Sequence, residues 1–301
     1  MIIFEHVCKF ILSDVNLHVP QGITLGLIGP SGAGKTTFLK LTCGLLAPEA
    51  GRVYTMRLIP WKNRPKLGSM TGAFFADIPF LKEADTVESN FRDLKIAYRM
   101  REDIFGREYD RLAEKLGFRT FEKESVKQLS LGQRRRAELG ALFLTHPKLI
   151  LLDEPTEGLD QAARDSLREL LMEQKRAGTT FVVSSHNMEE ISFLCERIAL
   201  LDHGTLRYYG EKELLLKHFA PDEVMELNFS GKIPDLEDLP LKHYSLHQNK
   251  LKLTYNSNYV TSAQLLCHIL AQTTITAVTT HKSGLSEAVS RIEKGEKHEL
   301  Y

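Results

Sequence analysis

The run Gly29-Pro30-Ser31-Gly32-Ala33-Gly34-Lys35-Thr36 sets glycines ahead of a lysine and a hydroxyl at the spacing G-x-x-x-x-G-K-[ST], which suits phosphate chemistry. Glycines let the backbone wrap closely enough for its N–H groups to reach phosphate oxygens, and a helix start behind them adds partial positive charge. Lys35 supplies a cation for the β- and γ-phosphates, the Thr36 hydroxyl is suited to Mg²⁺, and Thr37 follows in the same phosphate-binding set. A second group of the same chemistry is Leu149-Ile150-Leu151-Leu152-Asp153-Glu154-Pro155, an apolar run ending in two carboxylates. Asp153 there suits Mg²⁺, and Glu154 suits the orientation or deprotonation of an attacking water.

These residues need elements that bring them to one edge. Thr24 to Ile28 is apolar or β-branched, a Gly-rich turn follows, and Thr37 to Leu46 has helical spacing, so the phosphate loop is a strand-to-helix junction. Leu149 to Leu152 and Thr180 to Ser184 read as buried strands, with a helix from Gln161 to Arg176 between them. That rhythm predicts a parallel sheet, and charges at the end of a central parallel strand fall on its ligand side. Residues from about 80 to 145 read as a helical insert, with amphipathic stretches at Val87 to Tyr98 and Glu108 to Leu116. Arg197 to Leu201 and Leu206 to Tyr209 flank the turn Asp202-His203-Gly204 and close the sheet near Gly210.

After Lys217 the chain turns polar and acidic, with Pro221, Pro234 and Pro240 as punctuation and an alternating strand pattern at Lys250 to Tyr255. Helical patterns at Thr261 to Ala271 and Leu285 to Glu293 flank a β-rich Thr273 to Thr280, which predicts a small α+β module. The expected organisation is one domain over 1–215 and an accessory domain over 222–301.

In composition, 43% of the 301 residues are hydrophobic and 26% charged, as in a folded globular chain. The 39 Lys and Arg balance 39 Asp and Glu, so there is no global basic field, which argues against a protein that works by holding nucleic acid. No run reaches the roughly 18 to 20 apolar residues of a membrane span, and Met1 to Phe10 lacks a signal-peptide layout, so a cytoplasmic location is expected. Cys8, Cys43, Cys195 and Cys267 lie far apart and show neither a disulfide framework nor a zinc spacing.

Leu129-Ser130-Leu131-Gly132-Gln133 ends 20 residues before Asp153. Taken alone it is a helix start, where Ser130 and the amides near Gly132 form an anion site and Arg134 to Arg136 follow. Together with the phosphate loop, Leu-Leu-Asp-Glu-Pro, Gly158-Leu159-Asp160 and Ser185-His186, it makes about residues 1 to 210 resemble the ATPase subunits of ABC transporters. The resemblance implies a P-loop NTPase core, an α/β fold with a parallel sheet and helical insert, carrying ATP and Mg²⁺. It implies a dimer of ATPase subunits, homomeric or heteromeric, in which the Ser130, Gly132 and Gln133 loop of one closes over ATP held by the other. It also implies a separate transmembrane permease, with this chain on the cytoplasmic face of the membrane. His186 matches the histidine that touches the γ-phosphate, a role that suits a neutral imidazole reading whether that phosphate is present. Phe10 resembles the aromatic that stacks on adenine, and a core Phe on an early strand reads equally well.

Two positions depart from the family pattern. Leu131 stands where Gly is commonest, as it does in some drug-export members. Counting back from Thr86-Val87, Asp77 stands where the family has a glutamine that contacts Mg²⁺, and no Gln occurs from Ala73 to Leu81. Asp77 is therefore expected as a further metal residue, its carboxylate still offering oxygen. The run Phe74 to Met100, the signature variant and the tail near Leu285 to Ile292 resemble the branch that exports drugs, lipids or polysaccharides. The expected function is thus an export ATPase. The alternative is a soluble ABC ATPase of cluster assembly, repair or translation. Against translation stands the single phosphate loop, against repair the lack of a long heptad insert, and a cluster-assembly role leaves the tail without a purpose.

Overall fold

Every residue of the strands Thr24–Ile28, Leu149–Asp153 and Thr180–Ser184 is buried, as expected where parallel strands are covered on both faces. The computed structural model describes residues 1–294, which divide after Tyr209 into two units.

In the first unit a six-stranded sheet runs in the order Thr71–Phe74, Leu149–Asp153, Thr180–Ser184, Thr24–Ile28, Arg197–Asp202, Thr205–Glu211. The pairings among the first five strands are parallel. The register sets Asp153 beside Ser184 and Ser184 beside Leu27, so the acidic strand and the strand feeding the phosphate loop end in one row. A three-stranded antiparallel sheet, ordered Leu12–Val19, Ile2–Lys9, Ala50–Thr55, shares a core cluster with the helix Lys35–Thr42. Phe4 from that sheet stacks on Phe38 from that helix, ring centroids 4.3 Å apart and both side chains buried. Full burial of such a side chain stabilises by roughly 1.5–3 kcal/mol, and here it anchors the helix whose N-terminus must face phosphate.

The insert holds the helices Val87–Ala97, Glu102–Lys115 and Leu131–Leu144 around buried Phe91, Tyr109 and Phe118, whose rings lie 4.9 to 5.6 Å apart. Gly140 allows this packing: a Cβ there would sit 2.6 Å from the Phe118 ring. The helix carrying the Leu-Ser-Leu-Gly-Gln run begins at Leu131, one residue before the expected Gly132, because Ser130 caps it.

The second unit is a four-stranded antiparallel sheet ordered Leu241–His247, Lys250–Asn256, Asp222–Ser230, Thr274–Lys282, with the helix Ser262–Leu270 sharing its core. The helix Leu285–Glu293 packs on Lys212–Phe219. Both helices lie in the second unit, which begins at Gly210. The acidic stretch after Pro221 contains a strand: Glu223 is buried where its carboxylate accepts a 2.8 Å bond from the Tyr255 hydroxyl, while Met225, Leu227 and Phe229 fill the core.

Candidate active site

The phosphate loop has the backbone its glycines require. Gly29 has φ 144°, and a Cβ there would come within 2.0 Å of the Leu201 carbonyl. Gly34 has φ 106° and caps the helix Lys35–Thr42. Lys35, only 7% exposed, donates from Nζ to the carbonyls of Gly29 at 2.8 Å and Pro30 at 3.0 Å. Burial lowers the Lys35 pKa, and the nearby carboxylates of Glu154 and Asp153 oppose that shift. Ala33 is buried beneath the loop and donates from its N–H to the Pro30 carbonyl at 3.2 Å.

A cleft of about 230 Å³ is lined by Ser31, Gly32, Gly34, Lys35, Thr36 and Thr37 of the phosphate loop and helix, together with Ile11, Glu154 and His186. At its floor the Thr36 hydroxyl donates to Asp153 Oδ2 at 2.6 Å, across 117 residues of sequence, and the Ser184 hydroxyl donates to Asp153 Oδ1. Among the described residues no three His, Cys, Asp or Glu are grouped to hold a metal. Any cation at Thr36 and Asp153 must therefore draw most of its ligands from phosphate and water. That donor set fits Mg²⁺, which keeps several waters and takes one or two carboxylates.

Glu154 has φ 48°, a left-handed conformation that costs a non-glycine residue about 1–3 kcal/mol and is concentrated at functional sites. Its N–H still extends the sheet ladder to the Ser184 carbonyl at 3.1 Å. Its Oε2 accepts from the His186 backbone N–H at 3.2 Å. Its buried Oε1 has no hydrogen-bond donor, the His186 imidazole Nε2 lying 3.4 Å away. A carboxylate that lines the phosphate-loop cleft has the chemistry to orient or deprotonate a water held there. His186 is over half exposed, free to swing toward a bound group.

The signature residues do not line this cleft. The Ser130 hydroxyl accepts from the Gln133 N–H at 3.3 Å, and Gln133 Oε1 accepts from the Ser130 N–H at 2.9 Å, a reciprocal cap that occupies both side chains. Gly132 lies against Gly158, where a Cβ would be 3.0 Å from the carbonyl, and Leu131 is 60% exposed. The three arginines do not add to the anion site. Arg134 pairs with Glu138 and Glu83, Arg136 with Asp160, and Arg135 is buried against the turn that begins at Glu154. Phe10 is not a core residue: it is 68% exposed on the turn after Ile2–Lys9, with Lys9 Nζ 4.5 Å above its ring, next to cleft-lining Ile11.

Asp77 is not with Thr36 and Asp153. Its exposed carboxylate pairs with Lys40 Nζ at 2.7 Å, and it lines a separate cleft with Arg134, Arg135 and Glu138. Lys40 lies one helical turn beyond Thr36 on the same helix. Since exposed pairs are worth about 0–1 kcal/mol, Asp77→Ala should leave the Mg²⁺ midpoint of phosphate release within about two-fold of wild type. A shift of ten-fold in a magnesium titration would restore Asp77 to the metal site. Ser184 and Ile11 escaped the sequence reading as site residues, and Arg135 reads there only as one of three arginines after the anion site; Ser184 left a trace as the last residue of an apolar strand next to Ser185-His186.

A family model described as "ABC transporter" matches residues 12–157. The lantibiotic transport ATP-binding protein SrtF of Streptococcus pyogenes is 32% identical over 227 residues, spanning 75% of this chain and 92% of SrtF. The spermidine/putrescine import ATP-binding protein PotA of Mycoplasma capricolum is 30% identical over 251 residues, spanning 82% of this chain and 69% of PotA. The fold is also similar to the dimeric post-hydrolysis structure of the ATP-binding cassette MJ0796 bound to ADP and Pi. The TM-score is 0.61 at 26% identity, over 70% of this chain and 98% of that one.

Proposed function

This chain belongs to the ATP-binding subunits of the ABC transporters, ATPases that work with membrane permeases, and on that premise we propose that it powers export through a separate membrane subunit. The observation that carries the mechanism is the 2.6 Å contact between Thr36 and Asp153, which joins the phosphate loop to the acidic strand at one cleft. In the proposed cycle Lys35 and the loop amides hold the β- and γ-phosphates, while Thr36 and Asp153 hold Mg²⁺. Mg²⁺, when bound, neutralises phosphate charge. Glu154 takes the proton of the attacking water through its unpartnered oxygen, and His186 lies against the same carboxylate, within reach of the γ-phosphate. Phe10, exposed beside the cleft, covers the adenine.

The second half of the site comes from another ATPase subunit, a copy of this chain or a paralogue. Ser130 and Gly132 lie at the start of the helix Leu131–Leu144, outside this chain's own cleft, as a loop that serves a partner's nucleotide must. Closure on ATP and opening after hydrolysis then move the membrane subunit. No helix among the described residues is long and apolar enough to cross a membrane. Export is favoured over import by the resemblance of the run Phe74 to Met100, the Leu131 variant of the signature and the tail near Leu285 to Ile292 to the exporting branch.

The test uses inside-out vesicles from cells expressing the chain with the membrane protein that co-purifies with it, incubated with cell extract. Export predicts compounds that accumulate in the lumen with Mg-ATP and fail to do so when Glu154→Gln replaces the wild type. ATP-driven loss from a preloaded lumen would reverse the assignment.

A further inference from the structure

At Glu154 the chain leaves the sheet. Its N–H is the last rung to Ser184, and the positive φ turns its carbonyl away from the ladder. That carbonyl faces Arg135: Nη1 is 3.4 Å from it, and Nη2 is 3.6 Å from Glu157 Oε2, three residues further along the same turn. The turn is also closed internally, by the Glu157 N–H donating to the Glu154 carbonyl at 3.3 Å. One guanidinium therefore spans the whole loop between the acidic strand and Gly158.

The fork is held from behind. Arg135 is 5% exposed, and its guanidinium lies over the Phe74 ring at 5.7 Å, where Phe74 pairs beside Leu152 in the neighbouring strand. Its Nε is buried without a hydrogen-bond partner. As a contribution to stability this is a poor arrangement: a buried cation with long contacts and an orphaned donor is commonly matched or bettered by an apolar side chain of similar volume. On the other side of the loop Thr156 donates to Glu190 Oε2 at 2.9 Å, so Arg135 is one of two fasteners that flank the turn.

We propose that Arg135 is a positioning residue for hydrolysis, fixing the carboxylate of Glu154 by clamping the main chain of the Glu154 to Glu157 turn. Its side chain does not line the phosphate-loop cleft. Because it lies on the helix that Ser130 caps, it also ties the signature loop to this chain's own Glu154, so displacement of that helix is delivered to the base. The inference rests on the reading of Glu154 as the general base.

The test pairs Arg135→Met, which keeps the bulk and removes the fork, with Arg135→Lys, which keeps the charge but cannot span two acceptors. A small misplacement of a reacting group costs up to about 100-fold in rate. Both variants should therefore lose about 10- to 100-fold in kcat, with the KM for ATP and the affinity for a fluorescent ATP analogue within about two-fold of wild type. Arg135→Met should melt no earlier than wild type. The double variant Arg135→Met, Glu154→Gln should turn over no more slowly than Glu154→Gln alone, since a positioning residue has nothing to place once the base is gone.

A multiplicative loss in the double variant, wild-type kcat in both single variants, or unfolding of both would overturn the proposal. Failure of the underlying reading looks different: Glu154→Gln would itself hydrolyse ATP at the wild-type rate.

Discussion

Glu154→Gln should reduce ATP turnover by about 10²- to 10³-fold, within the range for loss of a positioned general base, while ATP binding persists. The substitution preserves shape and retains an acceptor for the His186 N–H, which Glu154 Oε2 takes at 3.2 Å. What disappears is the proton acceptor, Oε1, buried and without a donor of its own. The substitution leaves in place Lys35 and the loop amides, proposed to hold the phosphates, and the contact of Thr36 with Asp153. In the proposed cycle closure requires ATP and opening requires its hydrolysis, so the variant should accumulate as an ATP-bound dimer. Phosphate release measures the first effect, and light scattering on a sizing column with saturating Mg-ATP measures the second. A protein that stays monomeric there, alone and with its membrane partner, would contradict the shared-site mechanism.

The elements around Glu154 were the most legible part of the sequence, for a physical reason. Leu149–Asp153 and Thr180–Ser184 are buried on both faces, so they spell uninterrupted apolar runs that a helix of the same length would not confine to five residues. The helix Gln161–Arg176 begins after Asp160, whose side chain accepts from the Ala163 N–H at 2.9 Å, and it presents a stripe of buried Leu. The antiparallel sheet of Ile2–Lys9, Leu12–Val19 and Ala50–Thr55 spelled nothing comparable. Its strands are half exposed, and register shifts between Phe4 and Val7 and again before Lys9 break the alternation that would mark them. In the second unit, Asp222–Ser230 was masked by Glu223, an acidic residue at an inward position that only its hydroxyl partner on Tyr255 explains.

At the site, spacing singled out Lys35, Thr36, Asp153 and Glu154, which the fold gathers around one cleft. Spacing could not say which charges satisfy one another. Asp77 has the right chemistry for a metal, and spacing gave no sign that its exposed carboxylate pairs with Lys40 on the helix behind the phosphate loop. Arg135 sat in a run of three arginines that read together as following the anion site at the helix start. On a helix, successive residues point about 100° apart, so the three side chains diverge to Glu138, to the Glu154 turn and to Asp160.

Lys35→Ala should fail at the step before Glu154→Gln, with ATP affinity falling about 10²-fold, equivalent to about 3 kcal/mol for charge-assisted bonds to phosphate. In the structure Nζ is held by two loop carbonyls, so the cation is already positioned where the loop curves, and binding needs little reorganisation of the side chain. The alanine variant should bind ATP weakly, form no ATP-dependent dimer, and retain its fold, which circular dichroism and titration calorimetry check separately. The acid–base behaviour of wild type supplies a second readout. Burial depresses the Lys35 pKa below the 10.5 of a free lysine, against the pull of Glu154 and Asp153. The cationic form needed for phosphate is therefore lost at a lower pH than for a surface lysine. ATP affinity should decline as pH rises toward that depressed pKa, and the decline should be absent in Lys35→Ala, which has no proton to lose there. An alanine variant that binds ATP with wild-type affinity and the same alkaline decline would remove Lys35 from the phosphate site. The Thr36–Asp153 contact would then have to organise the nucleotide without it.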